Sequence, residues 1–226
     1  MQPTLKKIIE RSDALYAARE NLKNIHSCVA LLKDLAPTDY ESGWRLGRCY
    51  FFLGQEAKSQ EKSTAYFGQG IRASARAVRL SPLRVEGHFW LGVNLALKAK
   101  SSNVLFALGL AWLAKRSLRR AVRLDPSFHA AGPLRVLARL QHNLPLLVGG
   151  GRARARLNFE RALELAPENS VTRIYFAEFL LDIGDKIKAK KQLEAILRQK
   201  PDPEWAFEIK RDRKLARELL EVDFDA

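Results

Sequence analysis

Arg135 and Arg139 stand four residues apart and His142 follows three later, so a helix through them carries two guanidinium groups and an imidazole along one side. Guanidinium forks hold carboxylates and phosphates through paired hydrogen bonds. With aromatic side chains beside them, such arginines suit a small organic acid with an apolar body. Catalytic constellations are harder to find. His26, His88, His129 and His142 are scattered and form no metal-ligand pair at helical spacing. Gly149-Gly150-Gly151 runs into Arg152, without the lysine and hydroxyl residue of a phosphate loop, and reads as a tight turn before a helix. No serine or cysteine sits in a nucleophile turn. Cys28 and Cys49 lack metal or redox spacing and read as buried thiols, with a disulfide between neighbouring helices as the alternative. Together these residues call for no cofactor and no metal, and for binding in place of catalysis.

The elements that position these residues show in the chain's period. Pro37, Pro82, Pro126, Pro167 and Pro201 follow one another at 45, 44, 41 and 34 residues. A similar phrase precedes each: VALLKDLAP, SARAVRLSP, LRRAVRLDP, FERALELAP and, more loosely, LEAILRQKP. Proline removes a donor and restricts the residue before it, so each phrase ends a helix. A second helix follows the first four prolines, at Gly43–Phe51, Gly87–Leu95, Gly132–Leu140 and Arg173–Leu181. Each alternates small and bulky residues on one face, so that a partner helix can approach closely. The units fall near 6–39, 40–84, 85–128, 129–169 and 170–203, and 204–226 reads as a capping helix and tail. Units two to four are long, and the extra residues are expected between paired helices, at Phe52–Gln69, Lys98–Trp112 and Asn143–Gly151.

These positions resemble those of tetratricopeptide repeats. The last unit matches best, through Phe176, Ala177, Leu180, Gly184, Ala189, Leu193, Ile196 and Pro201. Unit four matches through Ala155, Phe159, Ala162 and Pro167, and unit three through Leu91, Gly92, Leu95, Ala114, Leu118, Ala121 and Pro126. Unit two keeps Leu46, Gly47, Tyr50, Ala77 and Pro82, and unit one Tyr16 and Pro37. The resemblance implies an all-α fold, a right-handed superhelical solenoid of about five helix pairs. The phrases VEGHFWLGVNLA (Val85–Ala96) and FHAAGPLRVLARLQHNLPLLVGG (Phe128–Gly150), with Arg154–Asp185 after them, look more specifically like the T component of tetratricopeptide-associated TRAP transporters. They are also similar to the repeat domain of the regulators of microtubule dynamics. The T-component resemblance implies a helical, often self-associating protein that partners a periplasmic solute-binding protein in uptake of small organic acids or apolar ligands. A homo-oligomer is open on the same ground.

Two surfaces follow from such a solenoid, and a third from an insert. Repeats of this kind bind ligands with the first helix of each pair. One face of those helices selects Trp44 and Arg48, then Phe89 and Val93, then Arg135, Arg139 and His142, then Ile174 and Glu178. Against a ligand groove stands the reading that Trp44 and Phe89 are core and that the arginines pair with Glu178 or Asp182. On the second helices equal positions line up: Arg76, Arg120 and Arg161, then Arg72 with Arg116 and Arg79 with Arg123, widened by Lys115 and Arg119. That stripe is either a solvated face or a dock for an acidic protein or anionic membrane surface. The insert Asn103–Leu113 is apolar nearly all round and adjoins the stripe. It is expected to pack on a neighbouring repeat, with self-association or a membrane interface as the sharper readings.

Charge is unevenly spread. Of the net +14, residues 84–161 hold a balance of +11, from 14 basic and three acidic side chains, which draws anionic partners to the middle of the chain. Nucleic acid is disfavoured, because no recognised binding motif accompanies the basic stripe. Met1 to Glu10 form no secretory leader, and the longest apolar run, Val104–Ala114, is about half the ~20 residues of a membrane span. The sequence is therefore expected to be soluble, whether in the cytoplasm or, after loss of a leader, in the periplasm. A scaffold that holds an acidic partner on its basic face is the alternative to a TRAP-associated binding component.

Overall fold

The computed structural model describes residues 3–146, 149–200 and 202–224. Pro201, which ends the fifth repeat phrase, lies outside them, as do Leu147 and Val148. Among the described residues every regular element is helical. The chain divides into two compact units, Met1–Asp125 and Pro126–Ala226.

The first unit holds α1 (Pro3–Ala17), α2 (Leu22–Leu32), α3 (Tyr40–Gln55), α4 (Gln60–Leu80), α5 (Val85–Lys100) and α6 (Val104–Leu124). Four of these start where a polar side chain can accept an otherwise unpaired backbone N–H. Asn21, Asp39, Ser59 and Asn103 cap α2, α3, α4 and α6 in this way. The helices α4 and α6 stop just ahead of Pro82 and Pro126, as the proline phrases predict. Each helix packs on its sequence neighbour, and α3 also meets α5.

Small residues set how closely these helices lie. A Cβ on Gly47 would stand 2.1 Å from Ser74 Oγ, and one on Gly92 would stand 2.6 Å from Leu118 Cγ. Buried Asn94 locks the contact, its Nδ2 donating to Gly47 O at 3.1 Å and to Trp90 O at 2.8 Å. Trp90 packs against Phe89 at 4.8 Å and Phe51 at 5.3 Å between ring centroids. Burying a side chain such as Phe89 is worth about 1.5–3 kcal/mol of transfer free energy.

Two of the three expected inserts are not connections. Phe52–Gln69 and Lys98–Trp112 are taken up mainly as helix, lengthening α4 and α6 to 21 residues each and leaving short turns at 56–59 and 101–103. Strong formers such as Leu, Ala, Glu and Lys recur in these stretches, and Ser59 and Asn103 cap the helices that resume after the turns.

The second unit holds α7 (Phe128–Asn143), α8 (Arg152–Leu165), α9 (Ser170–Asp182), α10 (Lys186–Arg198), a 3-10 turn at Pro203–Trp205 and α11 (Ala206–Phe224). Its core is aromatic. Phe159 stacks on Phe176 at 5.5 Å, and Phe179 closes the group at 5.8 Å from Phe159. The α9–α10 turn is made by Gly184 at φ +82°, a conformation in which a Cβ is strained, while Asp185 N returns to Leu180 O at 2.9 Å. The helix α11 lies on α9 and α10, with Ala216 packed among Ile174, Leu193 and Ile196.

Candidate functional site

The second unit buries one of the two paired arginines. Arg135 is only 4% exposed. Its Nη1 donates to Ala130 O at 2.8 Å, Asn169 Oδ1 at 3.1 Å and Thr172 Oγ1 at 3.3 Å, all neutral oxygens. Asn169 is fixed in turn as the cap of α9, accepting from Thr172 N and Thr172 Oγ1 at 2.9 Å each. Burial draws the Arg135 pKa down to about 10, against weaker support through space from Tyr175, Asp212 and Glu208. The ring of Trp205 lies 5.8 Å from the guanidinium, and His129 packs on Trp205 at 4.8 Å.

The backbone beside this arginine is unusual. His129, Ala130 and Ala131 all take left-handed conformations, with φ of 52°, 51° and 57°. Each non-glycine residue there costs roughly 1–2 kcal/mol. The turn runs into Gly132-Pro133, where proline's fixed φ suits the first right-handed turn of the helix. It also aims Ala130 O at Arg135.

A carboxylate lies near the site but is already engaged. Asp212 is 1% exposed, accepting from Ser170 Oγ at 2.7 Å and pairing with Arg211 at 2.8 Å. Burial pushes its pKa up despite Arg211. Among the described residues the cluster brings together no nucleophile and base. Among the described residues no group of three His, Cys, Asp or Glu is placed to hold a metal ion.

The other expected groove residues of this unit are engaged within the fold. Arg139 meets Glu178 at 2.6 Å and lies over the Tyr175 ring at 4.8 Å. His142 Nε2 meets Asp182 Oδ2 at 2.7 Å, with its ring edge-on to Phe179. These contacts clasp α7 to α9. Ile174 is buried in the core.

In the first unit Phe89 and Val93 are buried, because α5 is packed by α3, α4 and α6. Trp44 is also buried, its Nε1 donating to Glu41 at 3.0 Å. Arg48 binds Asp13 at 2.8 Å and covers the Tyr16 ring at 3.8 Å. The pair belongs to a run of charges in which only Glu41 and Arg45, four apart on α3, follow helical spacing. Arg45 joins Asp13 at 2.8 Å to Glu41, Arg84 joins Glu41 to Glu86, and Glu86 accepts from Tyr40 Oη at 2.9 Å. Burial works against ionisation of Asp13 and Glu41, yet the arginines hold both below their ordinary range. These charges are satisfied internally.

The basic face divides. Arg72 and Arg79 are exposed on α4, and Arg76 donates to Pro37 O at 2.8 Å. Arg116, Arg119 and Arg123 are exposed on α6, with Arg120 half-buried. Lys115 is buried instead: it lies four residues after Ala111 and three before Leu118, on the packed side of α6. Arg161, in the second unit, is exposed on α8. The insert at the start of α6 also departs from the packing expected of it, since Val104, Leu105, Phe106, Leu108, Trp112 and Leu113 are exposed.

Helix pairs stacked through small–large contacts define a tetratricopeptide-type fold. A thermophilic TPR protein of Thermus thermophilus has a similar structure: 19% sequence identity, a TM-score of 0.71, and coverage of 95% of this chain and 99% of that one. The fold is thus a tetratricopeptide-like helical solenoid. The family profile of the TRAP transporter T-component matches residues 47–225, and the chain belongs to that family. No curated protein sequence matches it significantly. No helix among the described residues is long and apolar enough to cross a membrane.

Proposed function

We propose that this chain is a non-catalytic binding component of TRAP-type solute uptake, and that its second unit takes a small organic acid with the carboxylate on Arg135. The observation that carries this reading is a buried guanidinium whose hydrogen-bond partners are all neutral. Buried arginines are normally paired, because an isolated charge in a low-dielectric interior is costly. A ligand carboxylate supplies the missing charge, and Trp205 offers a ring for its apolar body. The strained turn at 129–131 accords with a site whose geometry is held for a ligand at the expense of stability. Family membership favours a protein partner as well, and a TRAP solute-binding protein is the partner proposed.

Calorimetric titration with a series of monocarboxylates, each against its uncharged amide, tests the ligand. Acids should bind and amides of the same shape should not. Equal heats for acid and amide, or none for either at millimolar ligand, would remove the proposed role of Arg135.

A further inference from the structure

The outward stripe of α6 changes character halfway along. Leu105, Leu108 and Trp112 are followed on the same face by Arg116, Arg119 and Arg123, at steps of three, four, four, three and four. The first half is bare: Leu105 is 84% exposed, Phe106 71% and Trp112 59%. Val104, Leu105 and Phe106 are successive residues, about 100° apart around the axis, and all three are exposed, so the first turn is uncovered on most of its circumference. Gly109 has nothing within 4 Å of where a Cβ would stand. The apolar first turn of α6 therefore stands open to solvent.

Charge surrounds this turn with one sign. From residue 87 to residue 124 there is no Asp or Glu, while Lys98, Lys100, Lys115, Arg116, Arg119, Arg120 and Arg123 fall in that span. Apart from buried Lys115, these side chains reach the surface at least in part. Arg116 lies 5.8 Å over the ring of Trp112, joining the two halves of the stripe. A second copy of the chain would bring a like-charged arginine row against this one, which opposes self-pairing through the face. Basic residues following a tryptophan-bearing apolar turn suit an anionic lipid interface, where the apolar side chains enter the acyl boundary and the arginines meet headgroup phosphates.

We infer that the α6 stripe is a peripheral membrane-docking site for anionic phospholipid, with Leu105, Phe106 and Trp112 inserted and Arg116, Arg119 and Arg123 on the headgroups. The site is independent of the ligand reading at Arg135, and an exposed apolar turn followed by arginines on one face fits a fluid anionic surface.

Sedimentation with unilamellar vesicles tests it, using phosphatidylglycerol in phosphatidylcholine against phosphatidylcholine alone. The full chain should bind the anionic vesicles, weaken steeply with added salt, and leave the neutral vesicles unbound. Reversing Arg116, Arg119 and Arg123 to Glu should lower binding by at least a hundredfold, at roughly fivefold per arginine removed. The double variant L105S/W112S should lose tenfold or more. All five side chains are exposed, so these variants should keep the wild-type circular dichroism. Trp44 and Trp90 are buried and half-buried Trp205 lies on another helix junction against His129, so a blue shift of fluorescence on docking should vanish in Trp112→Phe while binding remains. Equal binding to neutral vesicles, no binding to anionic ones, or anionic binding indifferent to L105S/W112S would each overturn the inference. So would a sedimenting dimer that Leu105→Ser dissolves, which would give the face to a second copy.

Discussion

Replacing Arg135 with methionine separates a ligand-binding arginine from a structural one. A guanidinium drawn down from its ordinary pKa to about 10 is disfavoured in the fold by about 3 kcal/mol relative to its neutral form. Its folded pKa lies below its unfolded value, so the penalty applies at every pH below about 10 and is relieved only above that. Methionine removes the charge and keeps the unbranched stem. It also loses three hydrogen bonds, but their acceptors fare differently. Asn169 Oδ1 keeps two donors from Thr172, whereas Ala130 O loses the arginine. A buried acceptor left bare costs about 1–3 kcal/mol. The two terms nearly offset, so the ligand-free stability of Arg135→Met should lie within about 2 kcal/mol of wild type, against the 3–5 kcal/mol typical of breaking a buried ion pair. Urea denaturation followed by circular dichroism reads the difference. Repeated with a carboxylate at a hundred times its Kd, the wild type should gain about 2.7 kcal/mol and the variant nothing. A loss above about 4 kcal/mol without ligand, or equal gains with it, would refute the reasoning and make Arg135 a structural residue.

Three further outcomes rest on other parts of the structure. Gly47→Ala puts a Cβ 2.1 Å from Ser74 Oγ at the α3–α4 contact, on a residue whose carbonyl is also held by Asn94 of α5, and should cost about 1–3 kcal/mol by thermal melting; adding Ser74→Ala should restore part of it. Gly109→Ala meets no neighbour and should raise the stability of α6 by up to ~1 kcal/mol, read as slower hydrogen exchange along that helix. Asp13 and Glu41 are held below their unfolded pKa values, so their contribution is present above about pH 4–5 and disappears as pH falls through the lower folded values. The urea midpoint should therefore drop on acidification below about pH 4, and Asp13→Asn should flatten that dependence.

The repeats were legible because their determinants are local or one turn apart. A proline after an apolar phrase ends a helix wherever the phrase occurs, and Gly47 or Gly92 announces a close crossing without reference to the partner. Burial was less legible where both sides of a helix are apolar. The helix α5 is covered by three others, so its nominal open face at Phe89 and Val93 is core, and the sequence of α5 contains nothing that marks one side as free. The reverse holds for α6: apolarity nearly all round suggested packing, yet its first turn extends where no neighbour reaches. Hydrophobicity states a preference, and only the lengths of adjacent helices decide whether it is met.

The Arg135 site shows a different limit. Spacing placed Arg135, Arg139 and His142 together, but spacing treats them as equivalent. Their roles diverge through partners roughly forty residues away: Glu178 neutralises Arg139 and Asp182 hydrogen-bonds His142, while Arg135 faces Asn169 and Thr172. Asn169 could be read as a helix cap from its place before Ser170 and Thr172. Its second task could not, because that depends on a left-handed turn over His129, Ala130 and Ala131 that contains no glycine to signal it. A capping side chain that also serves a buried charge must satisfy both sets of donors, and Asn169 Nδ2 is left buried without a partner in doing so. A guanidinium with only neutral hydrogen-bond partners and an unpaired amide donor on one helix junction are two costs of the same sign, and the proposed carboxylate, with two oxygens, would relieve both.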